Sequence, residues 1–213
     1  MKLLNLEFTH IAHDTFKIQG AKAIYTDPFK VKDRDEADIV LLSHEHFDHL
    51  SLPDLNKVIT DKTTIVASPL CADDLETLRV KATLFLDPGK MLTVGNVKIE
   101  AVPAYNLNKF REPGKAFHPK EEKRLGFIIT LDGTRVYFAG DTDFIPEMKN
   151  IQCDIALLPI SGTYVMTVEE AVQAVAAIKP KIVVPMHYGA IVGDYADATK
   201  FQSLVKNCQV EII

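Results

Sequence analysis

Short apolar runs recur along this chain, and several of them stop abruptly at a cluster of polar residues. Asp38-Ile39-Val40-Leu41-Leu42 reads as a buried strand and gives way at once to Ser43-His44-Glu45-His46-Phe47-Asp48-His49. Upstream, loose alternation at Leu4, Leu6 and Phe8 and then at Phe16 and Ile18 predicts a hairpin, with His10 and His13 in its turn. Ala23-Ile24-Tyr25-Thr26 is a further strand, ending at Asp27-Pro28. A short helical turn is expected over 51–57 and a strand over 64–67. Ser68-Pro69 then leads into a helix carrying Leu70, Leu75 and Leu78, and 81–86 returns to strand.

The second half repeats the alternation. Residues 91–94 and 97–102 pair across Gly95-Asn96, where glycine in the first turn position suits a type II′ turn. Residues 125–131 and 135–139 form the clearest hairpin, about Asp132-Gly133, and its second strand runs into Gly140-Asp141-Thr142-Asp143. A buried strand over 153–159 precedes a helix capped by Thr167, with Glu170 in the capping-box relation and Val168, Ala171, Val172, Val175 and Ile178 on its apolar face. Pro180 stops it. The strand 181–185 exits at Met186-His187-Tyr188-Gly189, and a last helix with Phe201, Leu204, Val205 and Cys208 precedes a terminal strand over 209–213. This order predicts an α+β protein, one domain over 1–213, in which two β-rich halves pack sheet against sheet with helices outside.

Only the stretch 105–124 shows neither period. It holds six Lys or Arg residues, among them Lys109, Arg111 and Lys115, against three glutamates. Such a stretch is either a solvated surface loop or a basic lid facing a substrate.

Composition narrows the reading further. With 213 residues, 47% of them apolar, the chain can bury a sizeable core, and a net charge of −5 gives no global nucleic-acid footprint. Cys71, Cys153 and Cys208 are odd in number and widely spaced, which suits buried free thiols. No apolar run approaches the length of a membrane span, and charge comes too early for a secretory signal. A soluble, cytoplasmic protein with a small-molecule substrate is expected, and self-association into a homo-oligomer is compatible with it. No P-loop or dinucleotide-binding glycine motif is present.

The chemistry therefore lies at the strand exits. His44 and His46, two apart on an extended segment, can point the same way, while Asp48 and His49 can turn toward a second point. Imidazole and carboxylate suit borderline divalent cations, and paired ions typically stand about 3.5–4 Å apart. A lone histidine is usually a hydrogen-bonded structural residue, but three histidines and an aspartate in six positions would all need partners at once. Asp141 could bridge two cations or form an Asx turn. His187 repeats the same placement after a strand, and His118 is the only histidine between His49 and His187. Asp27 could orient a ligand imidazole or simply shape a turn. His13 is better placed than His10 to face a cleft, in a supporting or a structural role.

Taken together, His44-x-His46-x-Asp48-His49, Gly140-Asp141-Thr142, Met186-His187 and the early Tyr25-Thr26-Asp27-Pro28 resemble the metallo-β-lactamase superfamily, whose fold is an αββα sandwich. The resemblance implies that His44 and His46 hold one metal with a third histidine, that Asp48, His49 and His187 hold the other, and that Asp141 bridges them. The third histidine usually follows the mid-chain strand, where Val102-Pro103-Ala104-Tyr105-Asn106 offers no imidazole. His118 reaching back, Tyr105 or Asn106 at a weaker site, or a single firmly bound ion would each accommodate this. His118 is favoured because it supplies the missing neutral donor. Gly-Asp-Thr-Asp and Pro-Met-His-Tyr-Gly further resemble small bacterial and archaeal proteins related to sugar-phosphate lactonases and phosphodiesterases.

The resemblance implies metal-dependent hydrolysis with two zinc ions, Mn, Ni or Fe also being compatible, and with hydroxide generated at the metals as nucleophile. Asp48 and Asp141 would act in catalysis. Tyr188 would donate to a leaving oxygen or else form an aromatic wall. A small phosphate ester or phosphodiester is the preferred substrate, with a lactone or amide as the alternative. A di-iron redox protein or a non-catalytic metal binder are the other readings.

Overall fold

A computed structural model describes residues 1–213. The first sheet takes seven strands in chain order: β1 (Lys2–Leu3), β2 (Leu6–Ala12), β3 (Thr15–Gln19), β4 (Ala23–Thr26), β5 (Ile39–Leu42), β6 (Thr64–Ala67) and β7 (Ala82–Phe85). Strands β1 to β4 form an antiparallel meander, and β4 to β7 run parallel. Helices α1 (Leu52–Val58) and α2 (Ala72–Leu75) lie in the crossovers.

The second half adds β8 (Met91–Val94), β9 (Val97–Pro103), a small separate hairpin of β10 (Phe110–Glu112) and β11 (Lys115–Ala116), then β12 (Leu125–Leu131), β13 (Thr134–Phe138), β14 (Ile155–Pro159), α3 (Val168–Ile178), β15 (Ile182–Met186), α4 (Tyr195–Leu204) and β16 (Gln209–Val210). Its large sheet has the order β16-β15-β14-β13-β12-β9-β8, again antiparallel from β8 to β13 and parallel from β13 to β16. The result is the expected αββα sandwich of two mixed sheets flanked by helices.

The alternation of side chains explains the layering. On β5, Ile39 and Leu41 join the large core between the sheets, while Val40 and Leu42 pack outward with Leu55 and Val58 of α1 and with Cys71 and Leu75. All four are buried, and each full burial of such a side chain is worth about 1.5–3 kcal/mol. The strand interiors therefore have no room for polar groups, which are displaced to the exits. On the opposite side α3 presents Val168, Ala171, Ala174, Val175 and Ile178 to the second sheet, with both bonds of the Thr167–Glu170 capping box in place.

The turn residues set the registers. Asp132 and Gly133 both have positive φ, giving a two-residue turn that pairs Leu131 with Thr134. At Gly95-Asn96 only the glycine does, in keeping with the type II′ sense.

Five stretches differ from the sequence reading, the first being His10, which lies within β2 opposite Phe16 rather than in the turn. Pro69 opens a 3-10 turn over Pro69–Cys71 rather than a long helix, α2 ends at Leu75, and Leu78 lies past it on the return to β7. Residues within 105–124 do pair, as β10 and β11 about Gly114. Leu204 is 42% exposed, and Ala198, Phe201 and Val205 are what α4 and its end bury instead. The last strand is only Gln209–Val210, because β16 is an edge strand pairing β15 over two residues. No helix is long and apolar enough to cross a membrane.

Candidate metal centre

One end of the sandwich gathers the turn after β2 and the exits of β4, β5, β13 and β15, bringing His13, Asp27, residues 43–49, Asp141 and His187 together. Three of these residues, His13 (φ 51), Asp27 (φ 35) and His187 (φ 60), sit in the left-handed region that non-glycine residues rarely occupy. Such backbone costs of order 1–3 kcal/mol per residue and persists where the surroundings over-determine it. Here the His187 N–H donates to the His13 carbonyl (3.1 Å), joining an exit of the second sheet to a turn of the first.

Asp27, wholly buried, orders the His44–His49 loop. Its Oδ1 accepts from the Ser43 N–H (2.8 Å), and its Oδ2 accepts from the Ser43 hydroxyl and from Nδ1 of His49 (2.8 Å). With its proton given to Asp27, the Ser43 Oγ accepts from Nδ1 of His44 (2.9 Å). Nδ1 of His187 meets the Ser161 hydroxyl (3.0 Å), which in turn donates to the Thr163 carbonyl. Three imidazoles thereby have Nδ1 engaged outward, which turns Nε2 inward, where it can offer a lone pair to a cation.

Those nitrogens, with Nε2 of His118, converge on Asp141. Its Oδ1 stands 3.4 Å from Nε2 of His49 and 3.3 Å from Nε2 of His187. Its Oδ2 stands 3.5 Å from Nε2 of His118 and 3.9 Å from Nε2 of His44. Gly140, at φ 63, permits this projection, since a Cβ there would come within 2.6 Å of the Leu125 carbonyl oxygen.

Two sets of donors result. His44, His46 and His118 form one, with Nε2 of His44 only 3.1 Å from Nδ1 of His46. His13, His49 and His187 form the other, and Asp48 Oδ2 lies 3.3 Å from Nε2 of His13 and 3.9 Å from Nε2 of His49.

Electrostatics test whether cations suit this arrangement. Nε2 of His49 and His187, Oδ1 of Asp141 and both nitrogens of His13 are buried without hydrogen-bond partners. Each unsatisfied buried group costs about 1–3 kcal/mol, and lone pairs facing a carboxylate at such range need positive charge between them. Burial opposes charge on His49, yet Asp141 and then Asp27 hold its pKa well above the usual value. His187 is raised too, with Asp141 again outweighing burial. Burial works against the Asp141 carboxylate, but His187 and His49 hold it well below the usual range. Burial brings His13 and His118 down to about 4, so both remain neutral donors at pH 7. The donor set thus fits divalent cations by ligand type and by its demand for positive charge.

His118 comes two residues after β11, at the start of the segment leading to β12. Asn106 clamps it: the His118 N–H donates to Asn106 Oδ1 (2.9 Å) and the Asn106 N–H donates to the His118 carbonyl (2.8 Å). Asn106 spends its Nδ2 on Asp143 and the Tyr164 carbonyl, and the Tyr105 hydroxyl bonds Glu147. Of the three candidates considered to complete the His44–His46 set, only His118 brings a side-chain donor to it.

A cavity of about 510 Å³ opens above, lined by His46, Phe47, Asp48, Arg111, Phe117, His118, Asp141, Tyr164 and Ile191. Arg111 is its only Lys or Arg. Lys109 is taken up by Glu170 (2.7 Å) and Asp143 (3.2 Å), and Lys115 is exposed and does not line it. Tyr188 is packed between His10 and Tyr195 and is not part of the lining; burial raises its hydroxyl to about 12.

Three residues of the centre went unassigned in the sequence reading. His13 was placed near a cleft but not in a donor set. Asp14, wholly buried and pushed by burial to about 8, has no part in the sequence reading. Arg124, counted only as loop charge, is buried, pairs with Glu45 and Glu122, and places Nη2 3.2 Å from Nε2 of His46. The signal for the first two was the same one that marked the other exits: a polar pair directly after the apolar Ile11-Ala12.

Residues 7–187 match the family model described as a Beta-lactamase superfamily domain, and the chain belongs to that family. A UPF0173 metal-dependent hydrolase from Thermoplasma acidophilum is 32% identical over 213 residues, covering 94% of this chain and 91% of the relative. A crystal structure from Parabacteroides distasonis, named as a proposed metal-dependent hydrolase, superposes with a TM-score of 0.83 at 35% identity over 97% of this chain and 92% of that one. Igni18 from Ignicoccus hospitalis, described as a novel metallo hydrolase, gives a TM-score of 0.78 at 24% identity over 98% and 94% of the two chains, a likeness of fold.

Proposed function

We propose that this protein is a metal-dependent hydrolase of a small anionic ester, with a phosphate ester or phosphodiester as its substrate class. His44, His46 and His118 would hold one cation and Asp48, His49 and His187 the second, with Asp141 serving both. The observation that carries this is the Asp141 carboxylate, one oxygen of which faces each set of imidazoles. Divalent cations bound there, zinc in the first instance, would supply Lewis acidity for an electrophilic oxygen and would lower the pKa of water from 15.7 toward about 7.

The chain's own groups do the rest. Asp48 lines the cavity, and although burial opposes its charge, the His13 contact holds its pKa below the usual value, so it is a carboxylate at neutral pH. It can orient the attacking water and take up its proton. Arg111 gives the phosphoryl oxygens a cation. Its Nη2 donates to the Phe117 carbonyl (2.8 Å) and its guanidinium lies 5.9 Å from the Phe117 ring centre, which holds it at the cavity wall. Phe47, Tyr164 and Ile191 are exposed apolar residues around the same opening and suit the organic part of such an ester.

The apolar rim with a single cation also favours a second reading, a lactone. Metal-replete protein assayed on phosphodiesters, phosphomonoesters and lactones separates the two. Arg111→Ala is expected to raise KM on a phosphate substrate by at least about 10-fold, the loss of one charge-assisted contact of roughly 1.5–3 kcal/mol. An unchanged KM on phosphate esters, or turnover of lactones alone, removes the phosphate assignment. Metal uptake without turnover of any of the three leaves a binding protein.

A further inference from the structure

Asp14 has no place in the chemistry so far. It occupies the turn between β2 and β3, is wholly buried, and neither carboxylate oxygen has a hydrogen-bond partner. No lysine or arginine pairs with it, and the neighbouring buried carboxylates all have partners: Asp27 accepts three hydrogen bonds, Asp141 faces four imidazoles and Asp143 pairs with Lys109. Removing a carboxylate from water without a partner is costly, and protonating it would leave a buried O–H equally without an acceptor. Its backbone cannot relax away from this position. The His187 N–H holds the carbonyl of His13 just before it, and the Thr26 hydroxyl donates to its own carbonyl (2.8 Å).

The side chain points to the one place where an anion is useful. An oxygen of Asp14, an oxygen of Asp141 and a nitrogen of His187 lie within 4.8 Å of one another, the spread of donor atoms around a single ion. We infer that Asp14 is an additional oxygen ligand of the cation held by His49 and His187, a conclusion that rests on the two-cation reading above. The consequence is chemical. With Asp14, Asp48 and Asp141 beside its imidazoles, that position becomes oxygen-rich and of higher coordination number, which suits Mn²⁺ or Fe²⁺. The His44, His46 and His118 position, with three nitrogens and only the shared Asp141 oxygen, suits Zn²⁺.

The test uses the full chain stripped of metal and reloaded with equimolar Zn²⁺ and Mn²⁺, read by elemental analysis and by the electron paramagnetic resonance of bound Mn²⁺. Wild type is expected to take up one of each. Asp14→Asn and Asp14→Ala should keep the zinc, lose Mn²⁺ affinity at least about 10-fold, and show a smaller metal-induced rise in Tm. Their metal-free Tm should equal or exceed that of wild type, because an unpartnered buried carboxylate has been removed. A merely structural Asp14 would lower the metal-free Tm and leave Mn²⁺ binding alone, and that result overturns the inference. Wild type binding two ions, with variants indistinguishable from it, overturns the Asp14 role only. Wild type binding no ion overturns the two-cation reading with it.

Discussion

His44, His46 and His118 bring three nitrogens to the shared Asp141, with His46 partly open to the cavity, whereas His49 and His187 are wholly buried and have Asp48 beside them in addition to Asp141. The first set also depends on a loop, since His118 reaches the centre only after β10, β11 and their turn. In the second, His13 and His187 directly follow β2 and β15 and are held in left-handed backbone, and His49 is tied to Asp27 at the exit of β4. The contrast shows two ways of pre-organising a donor. One stiffens the chain itself; the other pins a long segment at its end with side-chain bonds, as Asn106 does.

Asp141→Asn strikes both sets and should have the largest effect. Both ions are expected to be lost at micromolar metal and hydrolysis to fall well beyond the roughly 100-fold typical of a supporting residue. Elemental analysis beside turnover measures this, and full occupancy with normal activity would remove Asp141 from the bridge. His118→Ala separates the sets: stoichiometry should drop from two ions to one, with activity down by about 100-fold. If the ion lost were the one at His49 and His187, the division into two sets would be wrong.

Asp27→Asn probes the second set from behind. Without a full carboxylate to accept from His49 Nδ1 and Ser43, affinity there should fall by about 10–100-fold, with a smaller change at the nitrogen-only position. Calorimetric titration of each ion in turn resolves the two. Asn106→Ala should be mildest, weakening the first ion by no more than about 10-fold through a loosened His118. Hydrogen exchange of the His118 amide should rise with it, and an amide as protected as in wild type would show that the clamp lies elsewhere.

The same contrast explains what could be read from the chain in advance. Strand exits are local: an apolar run followed by His44-x-His46 or Gly140-Asp141 announces both the element and its polar end. The Thr167–Glu170 box and the Asp132-Gly133 turn were legible for the same reason. His118 was reachable only through the family resemblance and by elimination, because no period marks a segment held by side-chain bonds to Asn106. The basic stretch was the least legible. Counting charge cannot tell that Lys109 is consumed by Asp143 and Glu170 while Arg111 alone turns to the cavity. His13 and Asp14 were obscured by their position, since a polar pair between two strands is the ordinary composition of a turn.

The bond from the His187 amide to the His13 carbonyl carries a kinetic meaning. It links near-opposite ends of the chain across the two sheets, and contacts so distant in sequence form late because loop closure must precede them. A nascent molecule with only its first sheet assembled holds the His44–His49 loop but neither Asp141 nor His187. On the two-cation reading, capture of the second ion would seal a docking already achieved, and release of that ion would be an early sign of the two sheets parting.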